Sequence, residues 1–125
     1  MLAVGERYVD DLGPQCAWVD AMTRMATGFS GGLGDTREAL CGALSGGVMV
    51  IGALFGRASL EEDDRPAIDL AARYRERFLE TFGYTQCTML REEVVDAPGG
   101  PGSCGELVER AATILMGLID EVKAE

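Results

Sequence analysis

Histidine is absent from all 125 residues, and only 11 lysines and arginines stand against 21 aspartates and glutamates. Without imidazole there is no Ser-His-Asp or Cys-His catalysis, no His-ligated zinc or Rieske cluster, and no His-ligated haem. A net charge of −10 repels phosphate backbones and anionic headgroups, which argues against nucleic acid as a partner. The start, Met1-Leu-Ala-Val-Gly-Glu-Arg7, has neither a basic n-region nor a long apolar core, so no signal peptide is expected. A cytoplasmic, reducing setting is the matching expectation. No segment alternates with period two for long enough to suggest a strand, and no C-x-x-C pair occurs.

What remains is thiol chemistry, carboxylate chemistry and packing. Cys16, Cys41, Cys87 and Cys104 lie 25, 46 and 17 residues apart, so only the fold can assemble a site from them. A chain of this length is expected to form one domain, residues 1–125, with a core that needs no disulfide or metal staple.

Helical periodicity runs through most of the chain, and the expected fold is all-α. Leu2 to Leu12 suits a short helix stopped by Gly13-Pro14. A second helix, Pro14 to about Thr27, would bury Val19, Met22, Met25 and Ala26, with Trp18 beside them and Cys16 in its first turn. Gly28-Phe-Ser-Gly-Gly-Leu-Gly34 reads as a loop. Asp35-Thr-Arg-Glu38 is a capping-box pattern, predicting a helix from Ala39 to Gly56. That run holds 18 residues without a charge, but five are glycine. Its expected place is the interior, buried on every side by its own domain rather than in a membrane. Met22, Met25 and Met49 are expected in the core.

A further helix from Pro66 to Phe82 carries Ile68, Ala71, Ala72, Arg75, Phe78, Leu79 and Phe82 at helical intervals, with Tyr74 a candidate addition to that face, and Gly83 ends it. Gln86 to Val94 suits one or two helical turns bearing Cys87 and Leu90. Ser103-Cys-Gly-Glu106 is a second capping box. It opens a last helix whose apolar face is Leu107, Ala111, Ile114, Leu115, Leu118, Ile119 and Val122. The expected architecture is a bundle of about five helices around a glycine-rich, uncharged central helix.

Cys104 follows the predicted N-cap serine, where free backbone amides and the helix dipole favour thiolate over thiol. An acidic, accessible Cys104 is therefore the candidate attacking thiol. Its resolving partner is Cys87 if the intervening loop folds back, or Cys41 if the bundle joins those helices. Cys16, in a first turn, shares the helix-start effect. Gly31, Gly32, Gly34 and Gly42 are the positions where bare backbone could approach a sulfur or a cluster. The glycine loop lacks the G-K-[ST] lysine of nucleotide-binding loops and follows no strand.

The order Gly28-Phe-Ser-Gly-Gly-Leu-Gly34, then Cys41-Gly-Ala-Leu-Ser-Gly46, then the lone Cys87 and Cys104, resembles the C-GCAxxG-C-C family of proteins with a proposed redox role. The resemblance spans roughly Gln15 to Gly117. It implies a helical domain whose cysteines are redox-active, and that at least three of the four sulfurs converge. A related domain in some multihaem cytochromes implies an iron–sulfur centre as a second possibility. Three functions stay open on these residues. One is thiol redox chemistry, by dithiol/disulfide exchange or electron transfer with a partner protein. The second is an iron–sulfur or zinc module held by Cys16, Cys41, Cys87 and Cys104, in which a homodimer could share ligands. The third is a helical interaction or oligomerisation domain with structural cysteines.

Overall fold

A computed structural model describes residues 17–125. The expected helix from Leu2 to Leu12, and Cys16, lie outside the described residues. Helix α1, Ala17–Ala26, passes into a 3-10 turn, Thr27–Phe29. Helices α2, Gly42–Phe55, and α3, Arg65–Phe82, follow. The short α4, Cys87–Leu90, runs on into a π-turn, Arg91–Val95, and α5 spans Cys104–Ala124. Among the described residues there is no strand, and one isolated antiparallel bridge joins Leu40 to Gln86.

α2 packs against α1, α3 and α5. It buries Leu44, Gly46, Gly47, Val50 and Ile51. Burial on every side is not observed: Val48 is 40% exposed, and Gly52 and Ala53 are exposed too. No helix among the described residues is long and apolar enough to cross a membrane.

The glycines of α2 have different uses. A Cβ on Gly47 would sit 2.5 Å from a ring carbon of Tyr74, so bare backbone here admits a buried aromatic ring. That ring heads an i,i+4 ladder along α3: Leu70, Tyr74, Phe78 and Phe82 are all buried. Tyr74 meets Phe78 edge-on, with centroids 6.2 Å apart, and Phe78 tilts on Phe82 at 4.7 Å. The ladder corrects the expected stripe on this helix. Ile68 is 47% and Leu79 36% exposed, and Ala72 and Arg75 face outward. Aromatic volume aimed at Gly47 turns the helix away from the Ile68–Leu79 face.

α5 follows its sequence pattern closely. Leu107, Ala111, Leu115, Leu118 and Ile119 are buried, and Ile114 and Val122 pack against them. Ser103 caps it by accepting a hydrogen bond from the Gly105 N–H at 3.1 Å. Glu106 does not complete the capping box, because its carboxylate takes Arg110 at 2.7 Å instead. Gly83, at φ 81°, ends α3 in the left-handed conformation.

Two expectations fail before α2. The pattern Asp35–Glu38 opens no helix, because α2 starts at Gly42 with Cys41 in the N-cap position. Thr36 turns its hydroxyl back to the carbonyls of Gly32 and Leu33, both at 2.9 Å, and residues 37–41 pair with a distant segment described below. Met25 is 70% exposed rather than core, while Met22 and Met49 are half-buried.

Gly47 and Gly52 provide an internal comparison. Gly47→Ala drives a methyl into Tyr74 and is expected to cost about 1–3 kcal/mol. Gly52→Ala meets open space and should be neutral or stabilising by up to about 1 kcal/mol. Urea unfolding of the two reduced variants checks this, and equal midpoints would contradict the Gly47–Tyr74 contact.

Candidate functional site, a thiol-lined pocket

Cys41 and Cys87 are 46 positions apart in sequence and are brought side by side by backbone pairing. The Cys41 N–H donates to the Thr85 carbonyl at 2.8 Å, and the Cys87 N–H to the Ala39 carbonyl at 2.9 Å. The Thr88 N–H donates to the Arg37 carbonyl at 3.0 Å, and the Gln86 side chain to the Glu38 carbonyl at 2.9 Å. Every carbonyl from Arg37 to Ala39 thus finds its donor on the far segment.

The glycine loop sets the distance between these segments. Gly31 to Asp35 all have positive φ, with Leu33 at 71° and Asp35 at 57°, and Arg37 follows at 65°. Each non-glycine residue so placed costs about 1–2 kcal/mol and persists only when its surroundings dictate it. The constraint that reaches the site is at Gly32, where a Cβ would fall 2.6 Å from the Cβ of Cys87. Gly32 therefore lies against Cys87 in a position open to no other residue.

Cys41, Cys87 and Cys104 open onto one cavity of about 610 Å³. Its walls come from Thr23 and Ala26 of α1, Thr27 of the 3-10 turn, the first turns of α2, Tyr74 of α3, Arg91 of the π-turn, and Val108, Ala111, Ala112 and Leu115 of α5. Cys104 is exposed at the first position of α5, Cys41 is half-buried, and Cys87 is buried. Three of the four cysteines thus line one cavity. Gly31 and Gly42 line the cavity, whereas Gly32 stands behind Cys87 and Gly34 has open space around it. Cys16 lies outside the described residues.

Burial pushes the Cys41 thiol above its ordinary pKa. The amides of Ala43 and Leu44, at the open end of α2, oppose that rise, and negative charge at Cys87 and Cys104 adds to it. The Tyr74 phenol is likewise raised, by burial and then by the charge of Cys41. Its hydroxyl donates to the Ala43 carbonyl at 3.0 Å, fixing the turn that carries the amides facing Cys41. The Arg91 guanidinium is held more firmly protonated, first by the Cys87 sulfur and next by Cys104. Its Nε is buried with no hydrogen-bond partner. The π-turn that positions it closes with the Asp96 N–H on the Arg91 carbonyl at 2.8 Å.

Arg91 and Tyr74 are the site residues that sequence reasoning does not single out. The available signal is the i,i+4 spacing of Cys87 and Arg91 across a helical turn. Among the described residues no three or more cysteines and carboxylates are grouped to hold a metal ion. The three described sulfurs share a wall without forming a coordination shell by themselves, and Cys16, the fourth ligand of the expected iron–sulfur or zinc module, lies outside the described residues.

The model of a family described as "Putative redox-active protein (C_GCAxxG_C_C)" matches residues 7–118. The chain belongs to that family. In this C_GCAxxG_C_C protein the stretch Cys41-Gly-Ala-Leu-Ser-Gly46 reads C-G-A-x-x-G, with cysteine before glycine, and forms the N-cap and first turn of α2. Nothing matches the chain among curated proteins or among solved structures.

The raised pKa of Cys41 gives the reduced C_GCAxxG_C_C protein a pH-dependent stability. Above about pH 8.5 the unfolded thiol ionises while the folded one keeps its proton. The native state then binds more protons than the unfolded state, so stability falls as pH rises toward the folded pKa. Tyr74 adds a second loss above about pH 10. Urea midpoints measured from pH 7 to 10 should fall in the reduced protein. Cys41→Ala should flatten the portion between about pH 8.5 and 10, and an unchanged slope would refute the assignment.

Proposed function

We propose that this protein exchanges disulfides through Cys104 and Cys87. The observation that carries this reading is one pocket lined by three thiols of graded exposure, with a guanidinium against the most buried of them. The exposed Cys104 meets the oxidised partner first. Its thiolate attacks one sulfur of the partner's disulfide, a mixed disulfide forms, and the partner's other sulfur leaves as a thiolate. The Cys87 thiolate then attacks Sγ of Cys104 and displaces the partner's remaining sulfur. Two electrons pass to the partner, whose two sulfurs take up the two protons given up by the protein thiols.

Arg91 supports the second step, since its charge sits beside the sulfur that carries negative charge during attack. Cys41, whose thiol is held protonated by burial, is a poor nucleophile. Its location on the same wall makes it the alternative resolving group.

Oxidation of the reduced full chain with diamide, followed by alkylation and peptide mapping, tests the pairing. The expected product is a Cys87–Cys104 disulfide, and before oxidation Cys104 should alkylate faster than Cys41 near neutral pH. Arg91→Gln should slow resolution of a mixed disulfide about tenfold, equivalent to roughly 1.4 kcal/mol. A Cys41–Cys104 product would transfer the resolving role to Cys41. Failure to form any disulfide among Cys41, Cys87 and Cys104 would end the exchange reading.

A further inference from the structure

Exchange with another protein needs only an accessible sulfur, yet the thiols open onto a cavity of about 610 Å³. That volume falls within the usual range for small-molecule sites, roughly 300–1,000 Å³. The composition of its wall is selective. In a chain with 21 acidic residues, none of the described residues lining the cavity is acidic, and Arg91 is the sole cation among them. Most of the remaining wall is glycine, alanine, valine and leucine. Among the described residues no carboxylate lies within ion-pair distance of Arg91, and its Nε has no partner. The Cys87 sulfur is the nearest partner of Arg91, and the Asp35 carboxylate acts on it only from beyond ion-pair distance. The guanidinium therefore keeps donors with which to take a ligand anion.

We infer that the pocket binds a small organic anion with an apolar body, and that the protein's disulfide substrate is a small molecule of this class. The second half rests on the exchange reading above, while the first does not. The apolar body would lie along Val50, Ala112 and Leu115, with its anionic group on Arg91. Polar, multiply charged peptide disulfides are disfavoured by the apolar wall and by the −10 charge of the chain. In the reaction, the Cys104 thiolate opens a cyclic disulfide of the ligand, whose second sulfur leaves as a thiolate. Cys87 then closes on Cys104 and releases the ligand as a dithiol. The ligand gains two electrons and two protons, and the protein loses the same.

Octanoate and octylamine, equal in length and opposite in charge, separate recognition from redox chemistry. Isothermal titration of the reduced full chain should show octanoate binding at least about tenfold more tightly than octylamine. Arg91→Gln should erase most of that difference and Arg91→Lys should keep part of it, each variant first shown to be helical by circular dichroism. Ala112→Phe, which fills the cavity without removing a thiol, should abolish octanoate binding. Equal binding of acid and amine, no octanoate binding, or wild-type affinity in Arg91→Gln would overturn the anion pocket. Oxidised lipoate, a cyclic disulfide on an apolar carboxylate, then tests the substrate. Its reduction should be saturable and inhibited by octanoate. Octanoate binding without lipoate reduction would leave the anion site standing and remove the substrate assignment. Reduction of lipoate unaffected by octanoate would show that chemistry occurs outside the pocket, and would also remove it.

Discussion

The site depends on one short backbone pairing. Residues 37–41 and 85–88 satisfy each other's amides and carbonyls, and this contact places Cys41 beside Cys87. It also moves the start of α2 to Gly42, so that Cys41 occupies the N-cap instead of lying inside the helix. A thiol inside the helix would face only side chains. At the N-cap, the Ala43 and Leu44 amides act on it, and Tyr74 steadies the turn by binding the Ala43 carbonyl.

Around that pairing, burial and charge divide the labour among the thiols. Desolvation dominates at Cys41 and disfavours its anion. Cys87 is buried more deeply but has a guanidinium at hand, and Cys104 remains in solvent at a helix start. The left-handed run from Gly31 to Asp35 stores conformational strain beside Cys87, which the 37–41/85–88 pairing offsets.

Much of the fold is legible in the residues themselves. α5 is plain because its apolar positions recur at helical period and Ser103 marks its start. The limits of α3 are nearly as clear, with Gly83 marking its end. Its buried face is legible only in part: Phe78 and Phe82 are plain, but Tyr74 outweighs Ile68 and Leu79 only when Gly47, on another helix, makes room for its ring. The Asp35–Glu38 pattern misleads for a similar reason. Local capping signals there lose to partners some 50 residues away, which carry no local mark: Thr88 reaches Arg37 across a separation of 51. The convergence of Cys41, Cys87 and Cys104 follows from the family resemblance, whereas Arg91 enters the site through a π-turn that periodicity does not disclose.

The span of that pairing also bears on the order in which the molecule can assemble. Helices α3 and α5 draw on local contacts, but the thiol pocket requires closure of a loop of about 48 residues, whose entropy must be met before any contact rewards it. A chain emerging in order exposes Cys41 well before Cys87 exists to face it. The pocket accordingly needs a long-range closure that the individual helices do not. Any chemistry that needs Cys41 and Cys87 together is thus tied to closure of this pairing, and a chain without it presents only isolated cysteines.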